Sequence, residues 1–195
     1  GEHLLGNMDS ELSDLLRKIF EKQGMRIVLG TGVDTAGRVD GELQVTLKTG
    51  EVLRPGIALI ATGRLVSTEG LGLEAAGVKL NPRGMVEVDN HFQTSVEGVY
   101  AVGDVIGPSL ASISAEQGRV AACHAFGLGF KVKLDTLSVS AVYSVPELAG
   151  VGLTEDNAKE KGIDYEVGRC SFEETARGLI SGNTDGILKL VFGRQ

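Results

Sequence analysis

Val99-Tyr100-Ala101-Val102-Gly103-Asp104-Val105-Ile106-Gly107-Pro108-Ser109-Leu110-Ala111-Ser112 reads as a buried strand, a polar strand end and the start of a helix. Four apolar residues that stop at Gly103-Asp104 suit a central parallel strand covered on both faces, and so an α/β chain. Ligands of open α/β sheets bind at the carboxyl ends of such strands. There Asp104 would accept hydrogen bonds from sugar-like hydroxyls, and Gly103 would let a ligand approach the backbone closely. Pro108 can open a helix that Ser109 begins, aiming free N–H groups and about half a positive charge at the same place. That end favours an electron-rich ring or an anion. Taken alone, Gly103-Asp104 reads more readily as a plain turn after a core strand.

A second apolar run, Ile57-Ala58-Leu59-Ile60-Ala61, ends in Thr62-Gly63-Arg64. Two buried strands that each terminate in a small polar group beside glycine make a shared dinucleotide crevice the stronger reading of both. Between them, Leu71–Ala76 and Val78–Gly84 form a connection, and Val86-Glu87-Val88-Asp89 alternates as a short strand. His91 reads as a surface or hydrogen-bonded histidine. The helix after Asp104 runs through Ala111, Ala115, Val120 and Ala121 to about Phe126, where Gly127 and Gly129 close it; Cys123 and His124 fall late in it, in structural positions.

Toward the N-terminus, Leu12, Leu15, Leu16, Ile19 and Phe20 recur at helical spacing, with Asp9 as N-cap, Lys22 in the last turn and Gly24 as the stop. Met25–Leu29 reads as a strand, so the chain is expected to enter in the middle of a βαβ unit, as a fragment would. Val33–Val39, Glu42–Lys48 and Glu51–Leu53 form an antiparallel meander turning at Asp40-Gly41 and Thr49-Gly50. Toward the C-terminus, Lys131–Thr136 is a linker, Ser138–Tyr143 a strand and Val145-Pro146-Glu147 a turn. Thr154 caps a short helix ended by Gly162, and Tyr165–Cys170 and Ile187–Phe192 are strands, the last with no partner expected to follow it.

The 195 residues allow one large or two small domains, and 42% hydrophobic content supplies a core. A net charge of -7 and a pI near 5.0 argue against a nucleic-acid partner. No apolar run reaches the roughly 18 residues of a membrane span and no signal peptide opens the chain, so a cytoplasmic setting is expected. Cys123 and Cys170 lie far apart with no CxxC or CxxxxC spacing, so they read as free thiols, neither a redox pair nor a metal site.

Ala61-Thr62-Gly63-Arg64, Gln93-Thr94 leading to Val99–Asp104, and Tyr143-Ser144-Val145-Pro146-Glu147 with Val151-Gly152-Leu153-Thr154-Glu155 together resemble the two-dinucleotide-binding flavoprotein disulfide oxidoreductases, in order along the whole chain. Within that family, Ser109–Ser112 with Glu116-Gln117-Gly118-Arg119, and Glu166-Val167-Gly168-Arg169 with Ala176-Arg177-Gly178, are most similar to the soluble pyridine nucleotide transhydrogenases. Dihydrolipoamide dehydrogenases come second. The resemblance implies a Rossmann-like α/β fold, with parallel sheets, an antiparallel meander and the start of an α+β dimer-interface domain. It divides the chain into the distal half of an NAD(P) domain (1–62), the returning part of an FAD domain (63–130) and a truncated interface domain (131–195).

By motif position, Gly103 and Asp104 would bind the FAD ribityl chain. Ser109, Leu110, Ala111 and Ser112 would present the helix start to the flavin pyrimidine edge, where it would stabilise the charge of reduced flavin by about 0.3–2 kcal/mol. Gly63 would line the nicotinamide nucleotide's path, and Val33 would touch its adenine side. The implied activity is hydride transfer from NADPH through FAD to NAD⁺ in a homodimer. Neither GxGxxG loop of the family is present, the family's disulfide would lie before residue 1 and its catalytic His and Glu after Gln195. The chain is therefore expected to contain no catalytic residue of its own and to hold no FAD tightly alone. Arg177 reads as a surface residue rather than a nucleotide contact.

Overall fold

Asp9 opens the first helix as the sequence predicts: its carboxylate accepts the N–H groups of Glu11 and Leu12 at 3.1 and 3.3 Å. The helix, α1, spans Ser10–Lys22, and Gly24 follows its C-cap with φ +95°, a conformation that favours glycine. The computed structural model describes residues 1–134 and 139–194, and contacts gather the chain into two units, Gly1–Ile60 with Ser138–Gln195, and Ala61–Leu137.

In the first unit, the apolar stripe of α1 supplies Leu16 to a core with Met8 and Leu148, against which Leu4, Leu5, Leu12 and Phe20 pack. The meander follows as β1 (Val33–Val39), β2 (Glu42–Leu47) and β3 (Val52–Leu53), antiparallel in that order. Asp40 and Gly41 both take positive φ, 52° and 84°, the mirror-image turn that matches strand twist in a two-residue hairpin. Beyond residue 138, β4 (Val139–Val142) pairs with β5 (Leu148–Val151). Then α3 (Glu155–Glu160) begins at Thr154, whose side chain completes a capping box with Asn157. β6 (Tyr165–Ser171) and β7 (Ile187–Gly193) form an antiparallel hairpin around α4 (Ala176–Ser181).

β7 presents an unusual alternation. Leu188, Leu190 and Phe192 are about half exposed, while the Lys189 side chain between them is 4% exposed. Its ammonium lies 2.9 Å from Asp9, 2.8 Å from Glu11 and 2.9 Å from Glu155, and Arg169 of β6 closes the cluster on Glu11 at 2.8 Å. Burial opposes the charge on Lys189, but hydrogen bonds to Glu11, Glu155 and Asp9 outweigh it and raise its pKa above the ordinary 10.5. The hydrogen bond from Arg169 carries Glu11 down to about 2, against burial; that from Lys189 carries Glu155 to about 2.

The pH dependence follows from these directions. Carboxyls whose folded pKa is depressed contribute stability that is complete above their ordinary 4.5 and is lost as pH falls toward about 2. Lys189, raised, contributes below 10.5 and loses that contribution only at higher pH. Far-UV circular dichroism is expected to show secondary structure falling between pH 4.5 and 2, over a narrower span in the Glu11→Gln/Glu155→Gln variant. Identical acid transitions in the two proteins would contradict this account.

The second unit carries α2 (Ala111–Ala125) over a core of Phe92, Val120 and Ala121, with Val88, Tyr100, Val102, Ile106 and Leu134 packed against it. Val86–Asp89 keeps the predicted alternation, with Val86 buried and Glu87 exposed, but pairs only through single bridges, Leu80 with Val86 and Val88 with Thr94.

Several expectations are corrected. Met25–Leu29, Ile57–Ala61 and Val99–Val102 are not ladder strands; only Tyr100 is bridged, antiparallel to Gln93. No parallel partner for them occurs among the described residues, so Ile57, Leu59 and Ile60 are 89%, 89% and 79% exposed rather than buried. The helix expected from Ser109 starts at Ala111, with Leu110 as N-cap. β7 pairs with the preceding strand β6 along its whole length. Ser138, Gln195 and the end of the linker at 135–136 lie outside the described residues. β5 and α4 were not read from the sequence: Leu148–Val151 is a short stretch with two small residues at its centre, and α4 has too few residues for a helical period to show.

Candidate functional site

Gly103 and Asp104 form a short 3₁₀ turn over Gly103–Val105. Gly103 takes φ +77° and is buried, and its N–H donates to Gln117 Oε1 at 2.7 Å. Gln117, itself buried in α2, thereby ties the turn to the helix. A side chain at position 103 would be strained and would press on Ser114 Oγ at 3.4 Å. Gly103 is thus where the chain turns sharply, leaving Asp104 on the outside.

The Asp104 side chain is 47% exposed and is held at both oxygens. Oδ1 accepts the Ser109 N–H at 3.1 Å, and Oδ2 lies 3.1 Å from Arg64 Nη2. The turn, the Pro108-Ser109 loop and the residue after Gly63 therefore meet at one carboxylate. Arg64 stood in the quoted motif without a role; its signal was an unpaired cation beside one glycine strand end and an anion beside the other.

The start of α2 completes the arrangement. Leu110 as N-cap offers no side-chain acceptor to the first turn, no acidic residue occupies that turn, and Ala111 and Ser112 are exposed. Fifteen residues of aligned peptide dipoles thus end in uncapped N–H groups, close in sequence to Asp104. This is a polar cradle suited to a hydroxylated chain at Asp104 and an electron-rich group at the helix end.

Of the predicted residues, Gly103, Asp104, Ser109, Leu110, Ala111 and Ser112 come together in the turn and helix start. Gly63 is exposed, with φ +142°, and is linked to them through its neighbour Arg64. Val33 belongs to the other unit, 54% exposed at the first residue of β1, opposite Leu47 and beside a register shift. Arg177 is exposed on α4. Cys123 and Cys170 are free thiols. His91 stacks on His124 with ring centroids 4.3 Å apart, and the Tyr100 hydroxyl lies 2.8 Å from His124 Nδ1, so both histidines are engaged by ring or hydrogen-bond contacts. Among the described residues no group of three or more His, Cys, Asp or Glu side chains is placed to hold a metal ion.

Comparison with known proteins bears on the whole chain. The model of the pyridine nucleotide-disulphide oxidoreductase family matches residues 1–118, and that of the family's dimerisation domain matches 138–195. The chain is 40% identical over 195 residues to the soluble pyridine nucleotide transhydrogenase of Colwellia psychrerythraea, and 38% identical over 196 residues to that of Hahella chejuensis. It is covered completely in both cases and spans 42% of the length of each. Among solved structures, LpdA from Mycobacterium tuberculosis superposes over the whole chain and 42% of its own, with TM-score 0.87 and 28% identity. The HOCl-induced flavoprotein disulfide reductase RclA from Escherichia coli covers 99% of this chain and 45% of its own, with TM-score 0.85 and 28% identity. The expected α/β class holds, as does the family resemblance read from the Ala61–Arg64 and Val99–Asp104 motifs. With both family models matched in order and the motifs gathered around one turn and helix start, the chain belongs to the pyridine nucleotide-disulphide oxidoreductases.

Proposed function

We propose that these residues are part of a homodimeric flavoprotein of the relatives' length that transfers hydride between NADPH and NAD⁺, a soluble transhydrogenase. The observation that carries the reading is the Asp104 turn joined to the uncapped start of α2, together with 40% identity to a transhydrogenase across all 195 residues. The division into an NAD(P) portion (1–62), an FAD portion (63–130) and an interface portion (131–195) is part of the same proposal. The exposed Leu188, Leu190 and Phe192, in the stretch matched by the dimerisation model, support self-association through that portion and the remainder of the protein. No described helix is long and apolar enough to cross a membrane, and a cytoplasmic location is proposed.

The residues present fit FAD. Gly103 takes a positive φ that keeps bulk away from the turn, Asp104 offers an outward carboxylate to ribityl hydroxyls, and Ser109–Ser112 offers the backbone N–H groups that follow Ser109, whose own N–H is held by Asp104. When bound, FAD supplies the two-electron carrier between the two pyridine nucleotides. Asp104 orients the ribityl chain, the α2 terminus stabilises negative charge at the flavin's pyrimidine edge, Gly63 leaves room for the nicotinamide nucleotide, and Val33 packs on its adenine side.

The test is rapid-mixing absorbance on the full-length protein after thiol alkylation, with NADPH added first and NAD⁺ second. Bleaching of the flavin by the first and its restoration by the second, at undiminished rate, is expected. Loss of acceptor turnover on alkylation, or a thiolate charge-transfer band on reduction, would replace this reading with a dithiol enzyme of the dihydrolipoamide dehydrogenase kind. The disulfide reductase among the structural neighbours makes that the second candidate.

A further inference from the structure

Arg64 is 82% exposed, and its guanidinium nevertheless reaches Asp104 Oδ2 at 3.1 Å. A long side chain loses rotamer freedom when held in one geometry, and an exposed ion pair returns little stability. The contact is therefore poorly explained as a device that holds the fold. What it does accomplish is geometric: Ser109 N–H on Oδ1 and Arg64 on Oδ2 give the two carboxylate oxygens different partners, which biases the outward lone pairs toward one direction. Arg64 also directly follows Gly63, whose positive φ sets the course of the chain at that point.

We propose that Arg64 is a positioning residue for the flavin site: it fixes the Asp104 carboxylate for the ribityl hydroxyls and ties that carboxylate to the segment along which the nicotinamide nucleotide runs. The proposal rests on the reading of Asp104 as an FAD ligand. The Arg64 guanidinium forms an ion pair with Asp104 Oδ2 at 3.1 Å while the side chain stays 82% exposed, so Arg64 holds the carboxylate without closing the site.

The test measures FAD dissociation constants by flavin fluorescence on the flavin-stripped full-length protein, in Arg64→Met, Arg64→Lys, Asp104→Asn and the Arg64→Met/Asp104→Asn pair. Because Arg64 is exposed, its variants are expected to fold. Arg64→Met is expected to weaken FAD by about threefold to tenfold, and Arg64→Lys, which keeps the charge, to recover most of the loss. In the Asp104→Asn background, Arg64→Met should add less than about twofold, since residues that act through one another are non-additive. An Asp104→Asn protein that binds FAD as well as the parent would sink the underlying flavin reading. Weakened Asp104→Asn combined with parent-like Arg64→Met, with equal Arg64→Met losses in both backgrounds, or with no recovery by lysine, would overturn the role of Arg64 and leave the flavin reading standing.

Discussion

Lys189→Met is expected to destabilise the unit formed by residues 1–60 and 138–195 by about 3–5 kcal/mol. The lysine is 4% exposed and sits among Asp9, Glu11 and Glu155, all within 2.9 Å. Methionine matches its length and apolar stem, so packing survives while the central charge disappears. What remains is three carboxylates converging on an apolar side chain, with Arg169 able to answer only Glu11 and Glu155. The depressed values of Glu11 and Glu155 should then rise toward 4.5, and their share of the stability lost between pH 4.5 and 2 should disappear, the loss being already present at neutral pH. Adding Asp9→Asn should restore part of the loss, because asparagine removes one uncompensated charge and still caps α1. Urea unfolding of the 195-residue chain, followed by circular dichroism, measures all three proteins. A Lys189→Met loss below about 1 kcal/mol would mean that the cluster behaves as a solvated surface network.

Gly178→Ala and Gly118→Ala are expected to shift stability in opposite directions. Both glycines lie in helices, where intrinsic preference favours alanine by about 0.8–1 kcal/mol. At Gly118 of α2 an added methyl meets nothing within 4 Å, so the preference acts alone and stabilises. At Gly178 of α4 the methyl would run into the Phe172 carbonyl and stand 2.9 Å from Thr175 Oγ1. That hydroxyl caps α4 by accepting the Gly178 N–H at 3.0 Å, and it donates to the same Phe172 carbonyl at 2.8 Å. The obstacle is backbone plus the cap itself, so relief requires α4 to move off the 172–174 turn, costing about 1–3 kcal/mol and outweighing the propensity gain. Thermal melts of the two variants beside the parent decide it. A stabilised Gly178→Ala would show that the α4 junction yields freely.

What the sequence made legible follows from the range of the interactions involved. The α1 cap at Asp9, the Asp40-Gly41 hairpin turn and the capping residue Thr154 are set by neighbours a few positions away, and each formed as read. Ile57–Ala61 carries the composition of a buried strand, but a strand exists only with a partner, and among the described residues none pairs with it. The turn that sets out Asp104 was legible in Gly103, a glycine that ends an apolar run. The Arg64 contact that holds it was not, because ion pairing between distant residues leaves no periodic trace. Lys189 was hidden for the opposite reason. A lysine alternating with leucines in a strand reads as the solvent face, and three acids brought from α1 and α3 inverted that pattern.

The pairing of Asp9 with Lys189 also sets an order of events during synthesis. At about 5–20 residues per second, roughly 10–35 s separate the emergence of the two residues from the ribosome. Leu148, the core partner of Leu16, is late as well. Through that interval α1 has its cap and the neighbouring Leu4, Leu5 and Met8, but neither Lys189 nor Leu148, and a helix of 13 residues is marginal alone in water. The nascent first unit therefore waits on its far end, with Leu12, Leu16 and Phe20 open to whatever reaches them first, and a chaperone that shields short apolar helices would act on α1 in that window.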